Sequence, residues 1–172
     1  ALGASGKYPQ AIEQLNEALK IDPNHVGAYL DLGMIARLTE NYAEAEEYFK
    51  KVIELTEQAQ FSNVDDRREN ALYNLGLISL EQEEFDEAAG YFKAALRIRK
   101  DASDTYYNLA QALQGMEDTD GAMENLEIAL AFDPGYAEAH YLMGQLFMQQ
   151  EDEVNASYHF FRASELAPDA DP

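Results

Sequence analysis

Residues 71–80 read ALYNLGLISL and residues 105–113 read TYYNLAQAL, so the order Tyr-Asn-Leu followed by Gly or Ala occurs twice, 34 residues apart. In each copy large and small residues recur at i, i+3, i+4 and i+7, which is the spacing of one face of an α-helix. A pattern that returns at an interval of about 20 to 50 residues is typical of stacked repeats. The two stretches therefore predict a chain built from repeated helical units.

The same pattern extends over most of the chain. A small residue preceded by Leu or Met recurs, an alanine follows it by twelve residues, and a large apolar residue follows the alanine by four. Residues 1–25 carry only the second half of this pattern. Successive alanines are 34 residues apart, except for one interval of 43. The small residues are Gly33, Gly76, Ala110 and Gly144, the alanines are Ala11, Ala45, Ala88, Ala122 and Ala156, and the large residues are Leu15, Phe49, Phe92, Leu126 and Phe160.

These spacings predict pairs of antiparallel helices. The small residue lets the two helix backbones of a pair approach closely, and the large residue fills the space beside it. A single pair cannot bury both of its apolar surfaces, so successive pairs stack against one another. The predicted fold is all-α, with helices at 8–21, 26–38, 42–57, 65–80, 85–98, 103–114, 119–131, 137–149 and 153–166.

The pattern resembles the tetratricopeptide repeat (TPR) family, whose helix–turn–helix unit of about 34 residues has the signature W-x2-L-G-x2-Y…A-x3-F…P. The chain departs from it at the Trp slot, where Tyr29, Leu72, Tyr106 and His140 stand. The resemblance implies an α-solenoid in which stacked antiparallel helix pairs form a right-handed superhelix. It divides the chain into the C-terminal half of one repeat and four full repeats, the last with a short tail, at 1–25, 26–68, 69–102, 103–136 and 137–172.

The repeat loses its register once, by nine residues, between Val52 and Leu72. We expect the helix at 42–57 to continue by about a turn, and a short connection to follow. Ser62 or Asn63 is expected to cap the next helix, because both side chains accept hydrogen bonds from free backbone N–H groups at a helix start. Length variation at such a connection is usually tolerated without a functional consequence.

The composition limits the classes of partner. The chain has 172 residues, a formal net charge of −21 and no cysteine. Residues 101–172 contain 15 acidic residues and a single Lys or Arg, which is Arg162. A surface this acidic repels the phosphates of nucleic acids and of anionic membranes, and no apolar run approaches the ~20 residues of a membrane-spanning helix. We therefore predict a protein or peptide partner, with no nucleic acid and no direct membrane contact. The absence of cysteine fits a reducing compartment, so a cytoplasmic location is the default expectation.

The family resemblance implies a function for the first helix of each pair. In TPR proteins the first helices line a concave inner surface, where extended peptides bind. Tyr73, Tyr107 and Tyr141 recur at 34-residue intervals on the corresponding face, and a tyrosine offers rigid contact area with a polar tip. Asn74 and Asn108 lie beside them, and an amide suits the backbone of an extended ligand. The alternative is that the tyrosines pack between adjacent first helices. The predicted groove residues are Met34, Arg37, Asn70, Tyr73, Asn74, Leu77, Tyr107, Asn108, Gln111, Tyr141 and Gln145.

The charge of this face indicates the kind of peptide. Arg37 is its only basic residue, and Asp31, Asp104 and Glu138 stand among the tyrosines. Some TPR proteins hold acidic C-terminal tails with Lys or Arg beside Asn, and here the cationic half of that arrangement is largely missing. By charge complementarity the face favours a neutral or basic segment.

No motif for catalysis or cofactor binding is present. The sequence lacks the phosphate-binding, dinucleotide-binding and H-E-x-x-H patterns, and its runs of carboxylates lie on helix surfaces or turns. His159 is placed where it can approach His140, but two histidines without further ligands do not make a metal site. We predict no catalytic residue, no metal and no cofactor, and hence a non-enzymatic interaction scaffold.

A structural or assembly segment is the alternative function. The pattern begins in mid-repeat and ends directly after the fourth repeat, without a polar capping helix, although repeat arrays usually need capped ends for solubility. Such a segment would self-associate, or stack on other repeats, through its exposed end repeats.

Overall fold

The computed structural model describes residues 8–57 and 65–167, and these residues form nine α-helices and no strand. The helices are α1 (Tyr8–Ile21), α2 (Val26–Leu38), α3 (Tyr42–Glu57), α4 (Asp65–Glu81), α5 (Phe85–Ile98), α6 (Ser103–Gly115), α7 (Thr119–Phe132), α8 (Ala137–Gln149) and α9 (Glu153–Leu166). The all-α prediction is confirmed, and the predicted helix bounds differ from these by at most one residue.

The helices follow one another as a stack of pairs. Helix α2 pairs with α3, α4 with α5, α6 with α7 and α8 with α9, and the second helix of each pair also contacts the first helix of the next. Helix α1 lies against α2 and has the pattern of a second helix. We call α2, α4, α6 and α8 the first helices, and the others the second helices. Because contacts join neighbouring helices along the chain, the structure is an α-solenoid.

The predicted connection after α3 lies outside the described residues, and so do Ser62 and Asn63. Helix α4 begins at Asp65 and has 17 residues, whereas α2, α6 and α8 have 13 each. The first helix that follows the nine-residue change of register is therefore longer than the others.

The small residues hold the two helices of each pair close together, as predicted. A Cβ atom placed on Gly76 would lie 2.6 Å from the Phe92 ring, and one on Gly33 would lie 2.7 Å from the Phe49 ring. Gly144 is equally close to the ring of its phenylalanine, at 2.8 Å. The third pair has Ala110 and Leu126 at these two positions. Where alanine replaces glycine on the first helix, leucine thus replaces phenylalanine on the second helix.

Each first helix ends in the same strained turn. Glu40, Glu83, Glu117 and Glu151 all have a φ between 60° and 62°, the left-handed region that favours glycine. The residue after each glutamate donates its backbone N–H to a carbonyl five residues earlier, as from Asn41 to Ala36 at 2.8 Å. This is a Schellman-type ending, which satisfies the last carbonyls of the helix. It sets the angle at which the second helix leaves the turn.

Candidate functional site

Asn74 joins the first two first helices rather than facing a free surface. Arg37 on α2 donates from Nε to Asn74 Oδ1 at 3.0 Å, and its guanidinium also lies 3.4 Å from the Glu81 carboxylate. Asn74 Nδ2 donates to the backbone oxygen of Asn70 at 2.8 Å. Only 6% of the Asn74 surface is exposed. Both the oxygen and the nitrogen of its side-chain amide are hydrogen-bonded within the protein.

Tyr73 and Asn108 form the next connection, between α4 and α6. Asn108 Nδ2 donates to the Tyr73 hydroxyl at 3.0 Å, and the Tyr73 ring lies 6.0 Å from the Phe92 ring. Burial raises the pKa of Tyr73 above its ordinary value, so the hydroxyl stays neutral. Asn108 is 9% exposed. Tyr73 thus packs between first helices, which was the alternative to peptide binding, and part of it remains exposed.

Tyr107 has a different set of contacts. In α8 the position of Asn74 and Asn108 is taken by Leu142, so no amide from the next first helix reaches the Tyr107 hydroxyl. Gln111 donates to that hydroxyl from its own helix at 3.3 Å, and the ring of Tyr136 lies 5.0 Å away. Burial raises the pKa of Tyr107 as well.

Tyr141 is the freest of the three tyrosines. It is 53% exposed, and its ring contacts Phe160 at 5.5 Å. Gln145 lies one turn further along α8 and is exposed, as is Met148. We call Tyr107, Gln111, Tyr141 and Gln145 the Tyr/Gln face. It presents two aromatic rings and two amides, each pair at the repeat interval of 34 residues.

The remaining predicted residues lie elsewhere on the first helices. Leu77 is half-buried against the core shared by α4 to α8, and Asn70 is exposed at the start of the α4 face. Met34 lies in a cleft between α1 and α2. The structure therefore links Arg37 to Asn74 and Tyr73 to Asn108. Of the Tyr/Gln face it leaves Tyr141 and Gln145 exposed, whereas Tyr107 and Gln111 are half-buried.

His140 occupies its slot for a reason that the sequence pattern did not show. Its Nε2 lies 3.4 Å from the backbone oxygen of Pro134, six residues earlier. Tyr29 and Tyr106, in the same slot, donate their hydroxyls to the carbonyls of Pro23 and Lys100 at 3.1 and 3.3 Å, also six residues earlier. A side chain with a polar tip thus ties the first helix to the turn before it.

The two histidines meet as predicted. His140 Nδ1 and His159 Nδ1 are 3.0 Å apart, a hydrogen bond in which one ring donates and the other accepts. Burial lowers the pKa of both rings, and the neighbouring His140 lowers that of His159 further. In the first repeat the equivalent pair is Tyr29 and Tyr48, whose rings lie 6.2 Å apart. The pair is one version of a packing contact between a first and a second helix.

The sequence reasoning missed an ion pair between a buried carboxylate and a half-exposed arginine. Glu69 on α4 is buried, and Arg99 in the turn after α5 donates to its carboxylate at 2.9 Å. Burial raises the pKa of Glu69, and the Arg99 charge opposes that shift. Val26, Ser103 and Ala137 stand at the Glu69 position in the other repeats. A carboxylate in a slot that elsewhere holds small or apolar residues was the available signal.

Two further surveys concern the described ranges 8–57 and 65–167. No group of three or more His, Cys, Asp or Glu side chains in them is arranged to hold a metal ion. None of their helices combines the length and the apolar character that crossing a membrane requires.

Stacked pairs of antiparallel helices, in which a small residue of one helix faces a large residue of the other, define an α-helical repeat protein. Three models of repeat families match the chain, two described as "Tetratricopeptide repeat" over residues 24–101 and 79–146 and one as "TPR repeat" over residues 1–35. The chain belongs to the tetratricopeptide repeat family. Its fold is that of a protein-interaction scaffold.

Solved structures of the same fold cover nearly the whole chain. A crystal structure of MamA is 25% identical, with a TM-score of 0.82 over 96% of this chain and 91% of MamA. MamA 41-end from Desulfovibrio magneticus RS-1 is 21% identical, with a TM-score of 0.79 over 98% and 90% of the two chains. YrrB, described as a TPR protein with an unusual peptide-binding site, is 21% identical, with a TM-score of 0.74 over 98% and 82%. A comparison with curated proteins found no match.

Proposed function

We propose that this chain is a non-enzymatic interaction module whose first helices bind an extended, neutral or basic peptide segment. The observation that carries the proposal is the Tyr/Gln face, where two repeats present the same pair of residue types at the same positions. A regularly spaced set of side chains suits a ligand that is itself extended and regular. YrrB, which shares the fold, is described as having a peptide-binding site.

The Tyr/Gln face contains the groups that such a ligand needs. Tyr141 offers a half-exposed ring that gains contact area at little cost in conformational entropy. Gln145 offers an amide with a donor side and an acceptor side, which can pair with a peptide N–H and C=O. Asn74 and Asn108, which the sequence suggested for this purpose, instead hold neighbouring first helices together. We therefore assign binding to the Tyr/Gln face on α6 and α8, and a positioning role to Asn74 and Asn108.

Charge favours a neutral or basic ligand. Asp104 and Glu138 stand three residues before Tyr107 and Tyr141, at the same 34-residue interval. Arg162, the only Lys or Arg in residues 101–172, is paired with Glu165 at 2.8 Å. A Lys or Arg on the ligand would meet the Glu138 carboxylate and the Asp104 carboxylate, which Arg99 approaches only to 4.0 Å, and complementary charge also accelerates association.

We assign the module no catalytic role, metal or cofactor. The four residues of the Tyr/Gln face are amides and phenols, and burial raises the pKa of Tyr107 further above its ordinary value, which already lies well above neutral pH. Neutral hydrogen-bonding groups of this kind recognise a ligand without transferring protons to it.

The test is a binding measurement with a matched pair of variants. Mass spectrometry of proteins captured by the intact chain supplies a ligand, and a peptide from it is titrated by fluorescence anisotropy. Tyr141→Ala with Gln145→Ala is expected to weaken binding at least tenfold, because exposed aromatic anchors dominate such contacts. Glu124→Ala with Glu127→Ala, on the exposed side of α7, is the control and is expected to bind normally. Equal affinity of the two double variants would refute the assignment.

Assembly through the end of the stack is the second candidate. Val154, Tyr158 and Phe161 on α9 are all more than half exposed, although they are large and apolar. Exposed apolar patches often mark interaction surfaces. Light scattering should then show a mass that rises with concentration and returns to the monomer value in Tyr158→Glu with Phe161→Glu. A monomer at all concentrations would exclude this function.

A further inference from the structure

Two tyrosine rings and two carboxylates lie near the beginning of α6 and α8, beside the Tyr/Gln face. Tyr136, the residue before α8, has its ring 5.0 Å from the ring of Tyr107 on α6. Asp104 and Glu138 occupy the same position in the two helices, 34 residues apart. We call Tyr107, Tyr136, Asp104 and Glu138 the Tyr/acid corner. It shares Tyr107 with the Tyr/Gln face and extends that face toward the start of the helices.

The pKa of Tyr136 indicates that these groups lie close to its hydroxyl. Burial raises this pKa above its ordinary value, and four nearby groups raise it further, in the order Tyr107, Glu138, Tyr73 and Asp104. Only charges near a titratable group change its pKa in this way. Carboxylates from two adjacent first helices are therefore near the same half-buried phenol.

Two groups of the Tyr/acid corner have no partner among the described residues 8–57 and 65–167. The Tyr136 hydroxyl makes no hydrogen bond with them, whereas the Tyr73 hydroxyl accepts from Asn108 at 3.0 Å. The Glu138 side chain is exposed and has neither an ion pair nor a hydrogen bond with them. The corner therefore offers a hydroxyl and a carboxylate to a ligand.

One repeat earlier, an arginine of the chain itself lies between two first helices. Arg99 donates to the Glu69 carboxylate on α4 at 2.9 Å, and its guanidinium is 4.0 Å from the Asp104 carboxylate on α6. The five N–H donors of a planar guanidinium allow it to approach two carboxylates at once. This arrangement shows which cation fits beside acidic residues of adjacent first helices.

The next repeat keeps acidic residues but lacks the arginine. The residue 34 positions after Arg99 is Asp133, so the chain places a carboxylate where the earlier repeat has a guanidinium. Tyr136 stands 34 positions after Ala102, so an aromatic ring replaces a methyl group. The Tyr/acid corner therefore combines an aromatic surface with the Glu138 carboxylate, and no arginine corresponding to Arg99 neutralises it.

We propose that the Tyr/acid corner binds an arginine side chain of the peptide ligand, with the guanidinium stacked on a tyrosine ring and bonded to Glu138. This inference rests on the proposed function, since the arginine belongs to the peptide that contacts the Tyr/Gln face. The remaining N–H groups of the guanidinium donate to the Tyr136 hydroxyl, which accepts as well as donates. Arginine is favoured over lysine because its planar group stacks on aromatic faces and is more weakly hydrated.

The test uses three probe peptides that differ at one residue. The first is acetyl-Ala-Ala-Arg-Ala-Ala-amide, and its controls carry lysine or citrulline, which has the shape of arginine without the charge. Each is titrated into the intact chain at millimolar concentrations and followed by amide NMR. The Arg peptide is expected to shift the signals of Tyr107, Tyr136 and Glu138. It should bind about tenfold more tightly than the citrulline peptide and about two- to fivefold more tightly than the Lys peptide.

Variants of the protein locate the site. Glu138→Gln keeps the shape of the side chain and should weaken the Arg peptide about tenfold while leaving the citrulline peptide unchanged. Tyr136→Leu should reduce the preference for Arg over Lys. Glu127→Gln, on the exposed side of α7, removes the same charge elsewhere and should bind normally. The amide spectra show whether each variant remains folded, and Glu138→Gln breaks no contact within the described residues.

Several results would overturn the proposal. Equal binding of the Arg and Lys peptides, or equal losses in Glu138→Gln and Glu127→Gln, would indicate a general attraction to an acidic surface. Shifts centred on Glu69 and α4 would place the guanidinium at the Arg99 position instead. If the Arg and citrulline peptides bind equally and Tyr141→Ala with Gln145→Ala abolishes both, the proposed function stands without the Tyr/acid corner.

Discussion

The crossing of α4 and α5 makes a quantitative prediction about paired substitutions. A Cβ on Gly76 would lie 2.6, 2.8 and 2.9 Å from three atoms of the Phe92 ring, whereas carbon atoms in good contact are about 3.5–4.0 Å apart. Phe92 is completely buried, so its ring has no free space to move into. Overpacking of this kind costs ~1–3 kcal/mol, and the gain in helix propensity from Gly to Ala returns about 0.5–1 kcal/mol. Gly76→Ala should therefore lower the free energy of unfolding by about 1 kcal/mol, the difference between the middle values of these two ranges.

The second substitution should reverse this loss. Phe92→Leu alone leaves a void beside Gly76 and is expected to cost roughly 1–2 kcal/mol, less than the ~3–5 kcal/mol of a change to Ala. Together the two changes reproduce Ala110 and Leu126 of the third repeat, where the added methyl group occupies part of the space vacated by the ring. The double variant should be within about 1 kcal/mol of the wild type, which gives a coupling energy of at least about 1 kcal/mol.

Urea unfolding followed by circular dichroism measures all four proteins of this cycle. The dependence of stability on urea concentration should be the same for each, so that midpoints report stability alone. Ala110→Gly is the matched control, because it removes a methyl group where Leu126 already leaves room for it, and it should only destabilise. If the effects of Gly76→Ala and Phe92→Leu simply add, the close approach of glycine and ring does not determine the crossing.

Three other perturbations test particular contacts. The folded-state pKa values of His140 and His159 are lowered, so below about pH 6.5 the unfolded chain binds more protons than the folded chain, and stability falls as the pH decreases. Urea midpoints measured between about pH 7.5 and pH 5 should show this fall in the wild type relative to the variant His140→Tyr with His159→Tyr. Parallel curves for the two proteins would contradict the prediction. Thr105 Oγ1 is buried and has no hydrogen-bond partner among the described residues, so Thr105→Val should raise the free energy of unfolding by about 1 kcal/mol, whereas a loss of stability would mean that the hydroxyl is satisfied. Glu117→Gly should raise the free energy of unfolding by ~0.5–1 kcal/mol, because φ at Glu117 is 62°. Glu127→Gly within α7 is the control and should lower it. Equal shifts of the melting temperature in the two variants would count against strain at Glu117.

The helices and their crossings could be predicted because they depend on spacing along the chain. Gly76 and Phe92 lie in a fixed register of small and large residues, and helical periodicity converts that register into a contact. The turn at Glu117 was not predicted, because its usual signal is glycine and the chain has glutamate. The recurrence of Glu at the same position of four repeats was the only trace of it in the sequence.

The direction in which the side chains of the candidate site point depends on the distance between adjacent repeats. The periodicity of the sequence does not specify that distance. Asn74 and Asn108 were placed on the correct helices, but their amides point sideways to Arg37 and Tyr73 instead of outward. Whether an amide reaches a neighbouring helix or a ligand is decided by the separation of adjacent first helices. Binding by the Tyr/Gln face stays a prediction.

The sideways bonds have a mechanical consequence. Two side-chain hydrogen bonds, from Arg37 to Asn74 and from Asn108 to Tyr73, connect the first helices of the first three full repeats, whereas Leu142 provides no such bond to the fourth. No side-chain hydrogen bond within the described residues spans α6 and α8. We therefore expect the third and fourth full repeats to change their relative orientation more easily than the earlier repeats do. A ligand that contacts both Tyr107 and Tyr141 would then fix that orientation as it binds.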